Sequence, residues 1–154
     1  MEWKDYDSAT CSIARTLEVV GDRWTVLVLR DLANGVRRFD DLASHLGVAR
    51  DVLTRRLNVL VDHDVVEKVP YREQGSRTRY EYRLTAAGQD LRSVLLAFRE
   101  WGDQHLSGPE GPPMATVHAD CGGKVHAQLV CERGHTVERG ETRLVPQPGA
   151  RLSA

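Results

Sequence analysis

At 154 residues the chain is long enough to bury one core and to carry a small appendage. Hydrophobic content of 41% and charged content of 28% match an ordinary soluble protein, and a net charge of -1 points by itself to neither nucleic acid nor membrane. No apolar run approaches the roughly 20 residues that cross a bilayer. The acidic start "MEWKDYDSAT" has no leader-like apolar region, so a cytoplasmic location is expected, and three widely spread cysteines do not make a disulfide scaffold.

In chain order, "CSIARTLEVVG" sets Ile13, Leu17 and Val20 at helical spacing, with Gly21 as the stop. "DRWTVLVLRDLANG" predicts a second helix, capped by Asp22 and ended before Gly35, so apolar around its circumference that it forms the spine of the core. A third short helix puts Phe39, Leu42 and Leu46 on one face, and Gly47-Val48 turns the chain. The fourth runs from about Ala49 to Asp62. Leu53, Leu57, Leu60 and Val61 point inward, which leaves Arg50, Asp51, Thr54, Arg55 and Asn58 outside.

The period then changes. "VVEKV" is strand-like, Pro70 is expected to interrupt it, and "REQGSR" supplies a turn around Gly75. "RYEYRL" alternates, with Tyr80, Tyr82 and Leu84 on one face and Arg79, Glu81 and Arg83 on the other, so a hairpin with one buried side and a charged tip is expected. Thr85 can cap a fifth helix whose stripe is Leu91, Val94, Leu95, Phe98 and Trp101. "GPEGPP", 108–113, is a linker, and 114–154 reads as a small β-ribbon-like extension of a main domain at 8–107.

Helix, helix, helix–turn–helix, hairpin, helix is the order of a winged helix-turn-helix: an α+β fold, mainly α, with a long C-terminal dimerisation helix and a small β-rich tail. A helix about ten to twelve ångströms across fits the major groove of duplex DNA. Charge alone adds little, since Arg50 to Arg83 holds eight Lys/Arg against six Asp/Glu. The hairpin directly after the second helix of the pair is the more specific signal, because Arg72, Arg77 and Arg79 near its tip can reach phosphates or the minor groove.

Three stretches, "CSIARTLEVVGDRWTVLVLRDL", "RRFDDLASHLGVARDVLTRRLNVLVDHDVVEKVPY" and "RYEYRLTAAGQDLRSVLLAFREWG", resemble in order and spacing the HxlR-type regulators, a branch of the MarR-like winged-helix proteins. The resemblance covers roughly residues 8 to 106. It implies a homodimeric DNA-binding transcriptional regulator whose dimer interface comes mainly from the first and last helices. Two positions depart from the family pattern. Ala49 stands where a capping Ser is frequent, a loss worth around 1 kcal/mol. Asp51 stands where a polar or basic residue is common, although it sits well for the helix dipole and can accept from a cytosine amino group.

On this reading Arg50 and Thr54 contact bases, Arg55 lies near base edges or phosphate, and Arg77 and Arg79 contact phosphate or the minor groove. Arg56 and Arg83 are solvated or structural. Phe98 and Trp101, far along a long helix, suggest burial against a second copy, which would make the operator pseudo-palindromic. A cleft between the long helices of a dimer can take a small hydrophobic effector.

Cys11 opens the first helix. The resemblance implies oxidant sensing there, while a buried thiol acting as a small apolar group is the plainer alternative. In the tail, His118-x2-Cys121 and Cys131-x3-His135 flank a strand-like segment. They suit either a zinc ribbon or a small β-ribbon in which such a site has decayed. The rival function is a winged-helix protein-interaction module with a zinc-ribbon-like tail. Catalysis by Cys131 and His135 is rejected, because no acid orients the imidazole.

Overall fold

Each short helix buries one face, and those faces set the architecture. The computed structural model describes residues 2–72, 75 and 77–153. Among them are five α-helices, α1 (Ser12–Val20), α2 (Arg23–Ala33), α3 (Phe39–Leu46), α4 (Arg50–Asp62) and α5 (Ala86–His105). One antiparallel hairpin, β1 (Val66–Tyr71) and β2 (Arg79–Leu84), stands between α4 and α5. This is the winged helix-turn-helix order. By its internal contacts the chain divides into one unit of residues 1–92 and 147–154 and a second of residues 93–146.

In the first unit, α3 and α4 pack on α2. Val28 of α2, Leu42 of α3 and Leu53, Leu57 and Leu60 of α4 are completely buried. Asp22 begins α2 as the sequence suggests: its Oδ1 accepts from the backbone N–H of Trp24 (2.9 Å) and Thr25 (3.3 Å). Its other oxygen takes Arg56 of α4 at 2.9 Å, so Arg56 is a structural tie. A second carboxylate, Asp31, is buried beside the apolar Val28, Leu29 and Leu32 of the same helix. Arg30 donates to its Oδ1 from Nε (2.9 Å) and Nη2 (2.7 Å), and His45 Nδ1 meets its Oδ2 at 2.6 Å. A buried carboxylate is tolerated only with such partners, and here the partners tie α2 to the last turn of α3.

β1 does not stop at Pro70. The ladder runs from Val66↔Leu84 through Pro70↔Tyr80 to Tyr71↔Arg79. In a two-stranded sheet each strand has an outer edge, where the missing proline N–H breaks no ladder bond. Tyr82 and Val66 are buried, Leu84 is half-buried, and Tyr80, farther out, is exposed. Gly75 has φ +80°, as a turn glycine should, while Glu73, Gln74 and Ser76 of the expected turn lie outside the described residues. The segment before α3 also joins the hairpin: Tyr82 N–H donates to Arg37 O (2.9 Å), and Arg38 bridges Glu81.

Thr85 caps α5, its Oγ1 accepting from Gly88 N–H (3.2 Å) and donating to Asp64 O (2.6 Å). A Cβ on Gly88 would lie 2.2 Å from Val65 O, so only glycine lets α5 start this close to the end of α4. The first unit closes with its two ends paired, Asp7 N–H to Arg151 O and Ser153 N–H to Asp5 O, both 2.9 Å.

The second unit holds the later turns of α5 and the tail. The tail's described residues form no strand; they make two tight turns, each closed by a single bridge, Val117↔Lys124 and Val130↔Thr136. Arg99 of α5 hydrogen-bonds Thr116, and Glu100 grips the tail with both oxygens, at His126 Nδ1 (2.6 Å) and the Ala127 N–H (2.8 Å). The Ala127 amide first, then the His126 bond, holds the Glu100 carboxyl below its usual range.

A carboxyl with a depressed folded pKa stabilises above its unfolded value, and the contribution disappears as pH falls through the folded value. We therefore expect the Ala127 amide to be protected from hydrogen exchange at neutral pH. Protection should fall once the pH drops below the ordinary carboxylate value of 4.5, and Glu100→Ala should remove it at every pH. Protection indifferent to both changes would show that the grip is not electrostatic.

Candidate nucleic-acid interface

Gly47 ends α3 in the left-handed conformation (φ 62°), and buried Val48 anchors the turn. Ala49 then stands at the α4 N-cap with extended backbone and no side-chain cap bond. With Leu53, Leu57 and Leu60 buried, helical geometry turns Arg50, Asp51, Thr54, Arg55 and Asn58 to the exposed side.

These side chains are not loose. Arg50 Nη1 lies 2.7 Å from Asp40 Oδ1, and its guanidinium sits 4.7 Å above the Phe39 ring. Arg55 pairs with Asp51 one turn back at 3.7 Å, a solvated pair of the kind worth a few tenths of a kcal/mol, about 0.3–0.5. Thr54 Oγ1 donates to Arg50 O at 2.8 Å, so its hydroxyl meets an incoming ligand as an acceptor, beside its methyl group.

A cleft of about 680 Å³ opens between the start of α3, the start of α4 and the hairpin. Arg38, Arg50, Lys68, Arg77 and Arg79 line it against Asp40 and Asp41, together with Phe39, Tyr71, Tyr80 and Tyr82. Burial pushes the Tyr82 phenol up from its ordinary pKa, which keeps it neutral. The cleft thus gathers Arg50 with Arg77 and Arg79. Asp51, Thr54 and Arg55 lie on the adjoining exposed face of α4 and do not line it. Arg83 instead pairs with Glu81 on its own strand, at 2.5 Å from Nη2.

Sequence reasoning missed Arg38 and Lys68. Arg38 stacks on Tyr71 (4.8 Å) and Lys68 on Tyr80 (4.7 Å), so two wing aromatics carry cations into the cleft. The basic pair Arg37-Arg38 before α3 was the available cue; Lys68 had none beyond its alternate position in "VVEKV".

Elsewhere, Cys11 is a free, half-buried thiol at the N-cap of α1. Ile13 and Leu17 of α1 are 71% and 55% exposed, and Phe98 and Trp101 of α5 are 60% and 59% exposed. His118 and Cys121 share the first tail turn, and Cys131 and His135 the second: Gly122 N–H donates to His118 O, and Cys131 N–H to His135 O. Among the described residues no three His, Cys, Asp or Glu side chains come together as a metal shell. Nor is any described helix long and apolar enough to cross a membrane.

A helix-turn-helix pair followed by a cationic hairpin, sharing one basic cleft, defines a winged-helix DNA-binding protein. The profile of the HxlR-like helix-turn-helix family matches residues 19–110. Rv3095 of Mycobacterium tuberculosis, described as an uncharacterized HTH-type transcriptional regulator, is 43% identical over 93% of this chain and 89% of its own length. The crystal structure of PA1607, a candidate transcription factor, superposes with a TM-score of 0.79 at 36% identity, over 90% of this chain and 96% of that one. The redox regulator HypR in its oxidized form matches 64% of this chain and all of its own, with a TM-score of 0.56 at 25% identity. The chain belongs to the HxlR-like helix-turn-helix family and is an HTH-type transcriptional regulator, not an enzyme.

Proposed function

We propose that the regulator binds a pseudo-palindromic operator as a homodimer. Arg50 and Thr54 read bases, with Asp51 and Arg55 beside them, and Arg77 and Arg79 hold phosphate or the minor groove. The observation that carries this reading is the shared cleft, in which the start of α4 and the wing present Arg50, Arg77 and Arg79 together. Exposed apolar side chains on α1 and α5 support the second copy, because Val94, Phe98 and Trp101 make a continuous apolar stripe along one helix face, the kind of surface that a partner buries. Oxidant response at Cys11 belongs to the same reading. It is supported by the half-buried thiol at a helix N-cap and by the likeness to a redox regulator.

On a duplex selected by the protein from its own upstream DNA, Arg50→Ala should relax preference at one base position by about 1–3 kcal/mol. Arg77→Ala/Arg79→Ala should weaken all duplexes alike and flatten the log–log salt slope by about 0.9 for each phosphate that is no longer neutralised. Binding that is unselective and unchanged in both variants would sink the operator reading.

Sedimentation should find a dimer for the native chain and a monomer for Phe98→Glu/Trp101→Glu; a monomer for both removes the paired half-sites. Hydrogen peroxide should oxidise the Cys11 thiol to a sulfenic acid, with release of water, and weaken operator binding. Cys11→Ser should resist. Equal loss in both proteins would move the chemistry away from Cys11.

A further inference from the structure

The structure assigns Asp40, in the first turn of α3, the role of positioning residue for Arg50, and through it a part in base discrimination. This rests on the reading of Arg50 as a base contact. Two successive residues of α3 hold one guanidinium. Phe39 supplies a ring face 4.7 Å away, and Asp40 Oδ1 takes Nη1 at 2.7 Å. A ring beneath the plane and a carboxylate at one end restrict a long side chain that would otherwise sample many rotamers. The bond uses Nη1 alone and leaves Nε and Nη2, the side edge of the fork, for a ligand. Those two parallel donors match O6 and N7 of guanine.

A carboxylate in a cleft lined by five cations is otherwise unfavourable for a polyanion. Its presence makes physical sense through a difference of affinities. A phosphate that approaches Arg50, as on any DNA, also meets the negative charge of Asp40 beside it, whereas a guanine edge carries no net charge for that carboxylate to repel. To meet a guanine Arg50 keeps both Asp40 and the ring and offers its remaining edge. Asp40 therefore weakens sequence-independent binding more than base-read binding.

The test uses the full chain and a randomised double-stranded DNA pool, with the bound fraction sequenced for the native protein, Asp40→Ala, Asp40→Asn and Arg50→Ala. Affinity for one scrambled duplex is measured alongside, and thermal melting confirms that each variant is folded. Asp40→Ala should reduce preference by at least about threefold at the one position that Arg50→Ala also relaxes, and should bind scrambled DNA more tightly. Asp40→Asn, which keeps an acceptor without the charge, should retain the positional preference while also gaining scrambled affinity. If Asp40→Ala tightens every duplex equally and leaves base preference unchanged, Asp40 is only a repelling charge and the inference fails. If Arg50→Ala itself leaves every position unchanged, the base-contact reading of Arg50 fails instead, and the inference goes with it.

Discussion

The rotation of α4 about its own axis is the constraint on which the interface depends. Leu53, Leu57 and Leu60 are completely buried, and α4 packs on α2. Burying each leucine stabilises by roughly 1.5–3 kcal/mol, whereas an exposed ion pair contributes about 0–1 kcal/mol. The three leucines therefore decide which way the helix faces. The charged residues follow, so Arg50, Thr54 and Arg55 point outward because the opposite face has no freedom to turn.

Buried and exposed carboxylates have different work in this molecule. Half-buried Asp22 and buried Asp31 join α2 to α4 and to α3, each satisfied on both oxygens. Asp40 and Asp51 lie at the surface, paired with arginines of the exposed face of α4. The Asp31 contacts resist opening because an unpartnered buried charge is costly. Outer pairs are solvated and individually weak, and Arg50 has a second hold in the Phe39 ring.

The two units differ in how they are held. The first has an apolar core of leucine and valine, and its chain ends are stitched by backbone hydrogen bonds. In the tail the apolar side chains, Leu129 and Val130 among them, stay exposed, and order comes from tight turns and from polar contacts to Arg99 and Glu100 of α5. Polar contacts of that kind respond to pH and salt far more than a packed core does.

Five helices, the wing, the Asp22 cap, the Thr85 cap and the outward face of α4 were legible in the sequence, because each rests on a period of 3.6 or 2 or on a local capping rule. Pro70 was not, because a proline breaks a central strand but not an outer edge, and edges exist only after strands pair. The tail's Cys and His spacing left a zinc ribbon and a decayed β-ribbon both open, because spacing along the chain does not say which turns lie side by side. Asp31 looks like an ordinary charged residue near the end of a helix until His45, fourteen residues on, comes within 2.6 Å of it.

What the sequence determined by itself was therefore local: which residues form each element and which face of it is apolar. Only the tertiary structure decided the pairings, Arg50 with Asp40, Arg38 with Tyr71, Lys68 with Tyr80, and with them the cleft. Side-chain periodicity reports one helix or strand at a time, whereas a site made by three elements depends on how their buried faces dock.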